Sequence, residues 1–222
     1  LAPNTIAAIF GTNLSYSTRA LGPGDVQGGR LPTNLAGVMV RVGPVFAPLY
    51  YVSPSQINLL IPGNLDLGQH EIRVVRDGWW GPGVKVNLLE AAPALFLLDP
   101  QTVVASHEDF SVVTQESPGR PDRFLILWAT GLGPTSDPTA SYDLIPVKAA
   151  LIKRLSDFRV LINDLAVDPG RIGYAGIAPY LAGVYQINVK LPNDVPSDPE
   201  IRISVGDQVS PNGVRAPVRP KD

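Results

Sequence analysis

The stretch Tyr51-Val-Ser-Pro-Ser-Gln-Ile-Asn-Leu-Leu-Ile-Pro62 constrains this chain most, because its second half returns as Gln186-Ile-Asn-Val-Lys-Leu-Pro192. Within the first copy Ile57, Leu59 and Ile61 fall on one side of an extended chain and Gln56 and Asn58 on the other. That alternation is the mark of a strand with one buried face. Each copy stops at a proline, which has no N–H to give to a sheet ladder. Three further pairs of segments keep the same order along the chain. Phe124-Leu-Ile-Leu-Trp128 with the following Ala-Thr-Gly-Leu132 matches Ile6 to Leu14. Val160 to Val167 matches the segment around Gly43-Pro44, and Glu200-Ile-Arg-Ile203 matches Glu71-Ile-Arg-Val74. Four ordered matches predict one unit used twice.

Read in order, the unit is a series of short strands. Val38, Val40 and Val42 alternate with Met39 and Arg41, and Gly43-Pro44 then supplies a hairpin turn of type II′, in which only the first central residue needs positive φ. Residues 21–33 hold four glycines and two prolines and read as a loop. Asp77-Gly-Trp-Trp-Gly-Pro-Gly83 turns the chain into a last strand, Val84 to Leu88. Gly and Pro, 21 and 23 residues, make up about one residue in five against a usual ~12%. Such punctuation suits many strands and few long helices. The expectation is an all-β protein: two tandem immunoglobulin-like β-sandwich domains related by internal duplication, spanning 1–93 and 94–222.

The apolar join Ala91-Ala-Pro-Ala-Leu-Phe96 predicts that the two pack together with little hinge freedom. The second domain carries insertions near 133–157 and 169–183. In the former, Val147, Leu151 and Leu155 line up at helical spacing, so a short helix is expected over 147–157, with an irregular crossing strand as the alternative. The tail from Pro217 is expected to fray.

Charged residues are 17% of the chain and the net charge is -2, so nothing suggests a nucleic acid or anionic membrane partner. Cysteine is absent, which removes disulfides, thiolate metal sites and a cysteine nucleophile, and two histidines, His70 and His107, are too few for a histidine-rich metal site. No cofactor is expected. No apolar run is long enough for membrane insertion. The chain opens at Leu1 without an initiator Met or an apolar leader, which reads as an excised region or a mature product.

The Phe-Gly-Thr-Asn-Leu turn at 10–14, the Tyr-Val-Ser-Pro-Ser-Gln-Ile-Asn run at 51–58, Ala-Thr-Gly-Leu-Gly at 129–133 and Gly-Val-Tyr-Gln-Ile-Asn at 183–188 together resemble the duplicated C-terminal region of Solibacter-type acidobacterial proteins. The resemblance spans nearly the whole chain, and its halves are similar to the IPT/TIG branch of immunoglobulin-like domains. It implies a noncatalytic structural or interaction module, extracytoplasmic (secreted, periplasmic or at the cell surface), covalently linked to an upstream domain, with a protein or glycan as partner. It carries no catalytic residues over. The Trp79-Trp80 pair and the 147–157 segment are less typical of it.

Candidate chemistry is sparse. His107-Glu-Asp109 is the densest titratable cluster, but neighbours on an extended segment point to opposite faces, so a solvated loop is the expectation. No Gly-x-Ser-x-Gly elbow or phosphate loop occurs. A hydrolase, the remote alternative, would need His70 or His107 in a cleft beside carboxylates. Trp79 and Trp80 are the best candidates for ligand contact, since two indoles at a glycine-framed hairpin could stack on a sugar ring or dock into a partner. The favoured expectation is that one or both fold back over the end of the sandwich or into the contact between domains; a carbohydrate-binding module is the alternative. Tyr50, Tyr51, Tyr174, Tyr180 and Tyr185 are expected mostly at core edges or interfaces. Gln56/Asn58 and Gln186/Asn188, recurring in both halves, are expected to bond a neighbouring loop backbone.

Overall fold

In the computed structural model, which describes residues 1–137 and 144–220, the chain is all-β, with only single turns of 3-10 helix between strands. The N-terminal half contains β1 (Ile6–Phe10), β2 (Arg19–Ala20), β3 (Val38–Val42), β4 (Val45–Phe46), β5 (Leu49–Val52), β6 (Gln56–Leu60), β7 (Gly68–Arg76), β8 (Trp79–Trp80) and β9 (Val84–Leu88). They form two sheets, ordered β1-β6-β5-β2 and β4-β3-β7-β8, with β9 continuing the β8 edge along β7. The apolar parity explains the packing: Val38, Val40, Val42, Ile57 and Leu59 are fully buried in one cluster between the sheets. Gly43, at φ 56°, takes the positive-φ corner of the two-residue turn that places Val42 opposite Val45.

The C-terminal half adds β10 (Ala94–Leu95), β11 (Leu97–Asp99), β12 (Thr102–Val103), β13 (Ala105–Ser106), β14 (Phe124–Thr130), β15 (Ala150–Leu151), β16 (Phe158–Ile162), β17 (Leu165–Ala166), β18 (Ile172–Ile177), β19 (Tyr185–Lys190), β20 (Ile201–Val205) and β21 (Gln208–Val209). Its main sheets run β10-β14-β19-β18-β15, with β13 also on β14, and β17-β16-β20-β21. The strand order of the first half is therefore repeated, and so is the register. Phe10 lies opposite Gln56 as Trp128 lies opposite Gln186, and Val42 lies opposite Ile72 as Ile162 lies opposite Ile201. Even the irregularity recurs: one residue is skipped between Leu49 and Tyr51, and again between Ile172 and Tyr174. Both halves thus have the immunoglobulin-like arrangement of a sandwich.

Three expectations change. Residues 147–157 form no α-helix. Ala150 and Ile152 alternate inward, β15 pairs with the otherwise open edge of β18, and Val147, Leu151 and Leu155, the supposed buried stripe, are exposed. The backbone groups of that edge are satisfied by a strand, which helical spacing of three side chains does not reveal. Part of the same insertion, 138–143, lies outside the described residues. Residues 169–183 are less an insertion than a counterpart, since they contain β18, which pairs with β19 as β5 pairs with β6. The tail is held as far as Arg219. Val218 is buried, the Gly119 N–H donates to the Pro217 carbonyl and the Arg219 N–H donates to the Gly119 carbonyl, while 221–222 lie outside the described residues.

The halves meet through neutral, buried groups. Leu31, Leu60 and Ala182 form a small apolar cluster flanked by Ile6, Tyr50 and Ile145. Thr130 Oγ1 accepts from the Ile6 N–H and donates to the Gly183 carbonyl, both at 2.8 Å, and the Tyr50 hydroxyl donates to the Ala182 carbonyl at 2.7 Å. Nearer solvent, Arg154 pairs with Glu90 at 2.9 Å.

Candidate binding groove

Where β1 and the β8–β9 edge approach each other, the first sandwich is open. A groove of about 660 Å³ lies there, with Ala7, Ile9 and Phe10 on one wall, Ile72 and Val74 at its floor, and Trp79, Pro82 and Val84 on the other wall, while the Trp80 side chain turns to the outer face of its sheet. Asp77 and Gly78, both at positive φ, form the two-residue turn that sets Trp79 opposite Arg76 and Trp80 opposite Val75. Neighbours on a strand point to opposite faces, and neither indole is buried: Trp79 is 81% exposed and Trp80 49%. The expectation that they fold back over the sandwich end or into the contact between halves is therefore not met. Trp80 is held by Phe46, 6.5 Å away between ring centroids, and by the Arg41 guanidinium 5.6 Å from its ring.

Phe10, on the facing wall, was not singled out in the sequence, yet it is 74% exposed. The signal was available in strand parity: Ala7 and Ile9 pack on the core, so Phe10 must face out. At the end of the groove Arg76 stacks on Tyr16 at 4.0 Å and donates to the Asn13 carbonyl, so its charge is directed along the rim. The walls are mostly hydrocarbon, with Arg76, Thr12, Asn13, indole N–H and backbone groups supplying the polar part.

The other candidates lie apart from the groove, each in local hydrogen bonds. His70 Nε2 lies 2.8 Å from the Asp66 carbonyl. His107 Nε2 lies 3.0 Å from the Ser117 carbonyl, and Asp109 accepts from the backbone and hydroxyl of Ser111. Those two hydrogen bonds hold the Asp109 carboxyl below its usual range. The cluster is a loop folded on itself, and among the described residues no three His, Cys, Asp or Glu side chains could hold a metal ion. Gln56 and Asn58 bond each other at 2.7 Å, and Gln186 and Asn188 do so at 2.8 Å, in place of the expected loop backbone. The tyrosines divide. Tyr185 is fully buried with its hydroxyl on the Gly133 carbonyl, Tyr174 bonds the Ile177 carbonyl, Tyr50 lies between the halves, and Tyr180 is exposed. No described helix is long and apolar enough to cross a membrane.

No family model and no curated protein matches this sequence. Among solved structures it is similar to the Bacteroides ovatus mixed-linkage glucan utilization locus protein SGBP-B in complex with a mixed-linkage heptasaccharide, at 12% identity and a TM-score of 0.34. That overlap covers 100% of this chain and 43% of the other, so the chain spans less than half of that protein. Domains 5-6 of the S-layer protein SbsC overlap it at 10% identity and a TM-score of 0.29, over 100% of this chain and 93% of theirs. The tandem Ig repeats of Dlar do so at 11% identity and 0.22, over 83% and 82%. Similarity at this level carries no functional argument. The fold rests on the strand order and register above.

Proposed function

We propose that this chain is a noncatalytic, extracytoplasmic interaction module that spaces or anchors a larger polypeptide and docks a partner protein in the groove between β1 and β8–β9. One observation carries the reading: Trp79 and Phe10 stand exposed along a mostly apolar cleft, an arrangement that brings large contact area at low entropic cost. The extracytoplasmic placement rests on the sequence motifs that resemble exported acidobacterial proteins.

A carbohydrate-binding module using Trp79 and Trp80 is the second reading, favoured by the indoles alone. A sugar also needs hydroxyl partners, and the hydrocarbon walls speak for an apolar polypeptide. Tryptophan emission titrated with a panel of polysaccharides separates the two. No shift is expected; a saturable shift that disappears in Trp79→Ala/Trp80→Ala would replace the protein-docking reading with the glycan one.

A further inference from the structure

The outer face of the sheet β4-β3-β7-β8 carries a second cluster, back to back with the groove. Strand pairing fixes its members. Arg41 lies opposite Arg73 and Phe46, Val75 lies opposite Met39 and Trp80, and Glu71 lies opposite Lys85. Val40, Val42 and Ile72 on the same strands point into the core, so their alternating neighbours point away from it. Val75 is only 2% exposed although it lies outside the core clusters, with Met39 and Trp80 on either side of it.

A hollow of about 380 Å³ opens on this face, lined by Arg41, Gly43, Glu71, Arg73 and Trp80. Within it the Arg73 guanidinium donates two hydrogen bonds to the Glu71 carboxylate, at 2.6 and 3.1 Å. The Glu71 carboxyl is held below its usual range, first by that pairing and further by the charges of Lys85 and Arg41. Arg41 is placed differently. Its guanidinium lies 5.6 Å from the Trp80 ring, and no described residue accepts a hydrogen bond from it. Beside it the Phe46 and Trp80 rings, 6.5 Å apart between centroids, are 37% and 49% exposed. The face therefore joins a planar donor to an aromatic step. It gathers Arg41, Arg73 and Lys85 around the single carboxylate of Glu71, in a chain whose net charge is -2.

We propose that this face binds an acidic polypeptide segment of a partner. One carboxylate of the segment meets the Arg41 guanidinium in the hollow, and an apolar side chain two residues along rests on Trp80 and Phe46. Side chains on one side of an extended segment repeat every ~7 Å, which is the scale set by the 5.6 Å between Arg41 and the Trp80 ring. Charge complementarity names the guest: a guanidinium fork takes a carboxylate through two bonds, as Arg73 already takes Glu71. The aromatic step favours a peptide over an acidic polysaccharide, since a sugar needs polar partners for its hydroxyls beside the indole. The amides of this face, Gln69 and Asn87, lie opposite each other six residues along β7 from Val75, the partner of Trp80, and so about 20 Å from it. This contact is separate from the groove, into which Trp79 turns and Trp80 does not.

The test titrates the intact 222-residue chain, at low salt, with the end-blocked peptide Gly-Ser-Glu-Ser-Leu-Ser-Glu-Ser-Gly and follows arginine and tryptophan side-chain N–H signals by NMR. The Arg41 Nε and Trp80 Nε1 signals should shift saturably at millimolar peptide or below. Glutamine in place of both glutamates of the peptide should weaken binding by about tenfold or more, and Arg41→Gln should do the same. Trp80→Ala should weaken it by about threefold or more. Lys153→Gln, which removes an exposed cation in the other half, should leave it unchanged. Equal losses from Arg41→Gln and Lys153→Gln would reduce the binding to general attraction of charge and overturn the site. No saturable shift at millimolar peptide overturns it as well. Shifts confined to Trp79 and β1 would give the peptide to the groove, and tighter binding of polygalacturonate at Trp80 would give the face to an acidic polysaccharide. A concentration-dependent dimer that shifts the Trp80 signal before peptide is added would give it to a second copy. Each of these three results overturns the proposal.

Discussion

Thr130 and Gly183 are the residues on which the contact between halves turns. The Thr130 hydroxyl satisfies a donor on one side and an acceptor on the other, and its residue is buried. Thr130→Val keeps the shape and leaves both groups unpaired, so it should cost about 2–6 kcal/mol in denaturant unfolding, from ~1–3 kcal/mol per orphaned group. Gly183 sits at φ 71°, and a Cβ there would come within 2.4 Å of Leu60 Cδ1 and 2.9 Å of Ile6 Cγ1. Gly213, at φ 82°, has open space around it. Gly213→Ala should therefore cost only the left-handed conformation, about 1–2 kcal/mol, and Gly183→Ala visibly more. Equal losses at the two sites would show that Gly183 is kept for its φ alone. Much of the residue scale was legible in advance: Val38, Val40, Val42 and Ile57 were placed in the core by parity. Tyr50 was read as edge or interface, but its partner Ala182 could not be found, because no pattern links residues that far apart in the chain.

At the scale of elements, a turn over Asp77 to Gly83 with both indoles at its tip was the reading; the chain instead turns at Asp77-Gly78 and puts Trp79 and Trp80 on β8, and their exposure was not legible. Exposure depends on whether another segment covers the adjacent edge, and that is a property of β1, distant in sequence. Trp79→Ala should change stability by no more than about 0.5 kcal/mol, as expected for an exposed surface residue. A loss of 2 kcal/mol or more in thermal or denaturant melts would restore the reading in which this indole covers the sandwich. The 147–157 segment failed for a related reason. Spacing of four residues between Val147, Leu151 and Leu155 is compatible with a helix, yet the neighbouring Ala150 and Ile152 satisfy a strand, and the open edge of β18 decides between them.

Over the whole molecule, titration should act at the two ends of the pH scale. Glu71, Asp99, Asp109, Asp122 and Asp157 are all held below their ordinary range, Glu71 first by its hydrogen bond from Arg73 and Asp157 by that from Arg154. A depressed carboxyl contributes stability above its unfolded pKa and loses it as pH falls through the folded one. The chain should thus be insensitive near neutrality and weaken in acid below about pH 4. Burial raises Tyr50 and Tyr185. Their contribution is complete below the unfolded value of about 10 and declines as pH rises beyond it. Alkaline titration should show part of the tyrosinate absorbance appearing only with unfolding, and Tyr50→Phe should remove some of that delayed fraction while costing about 1–3 kcal/mol through the orphaned Ala182 carbonyl.

The seam between halves is made of hydroxyls, carbonyls and hydrocarbon, and Arg154 with Glu90 adds only an exposed pair at its margin. Dissolved ions screen charges in water and have little purchase on buried neutral dipoles. The contact between the two sandwiches should consequently hold as well in brine as in dilute buffer, and solution scattering that is unchanged between low and high salt is the expected result.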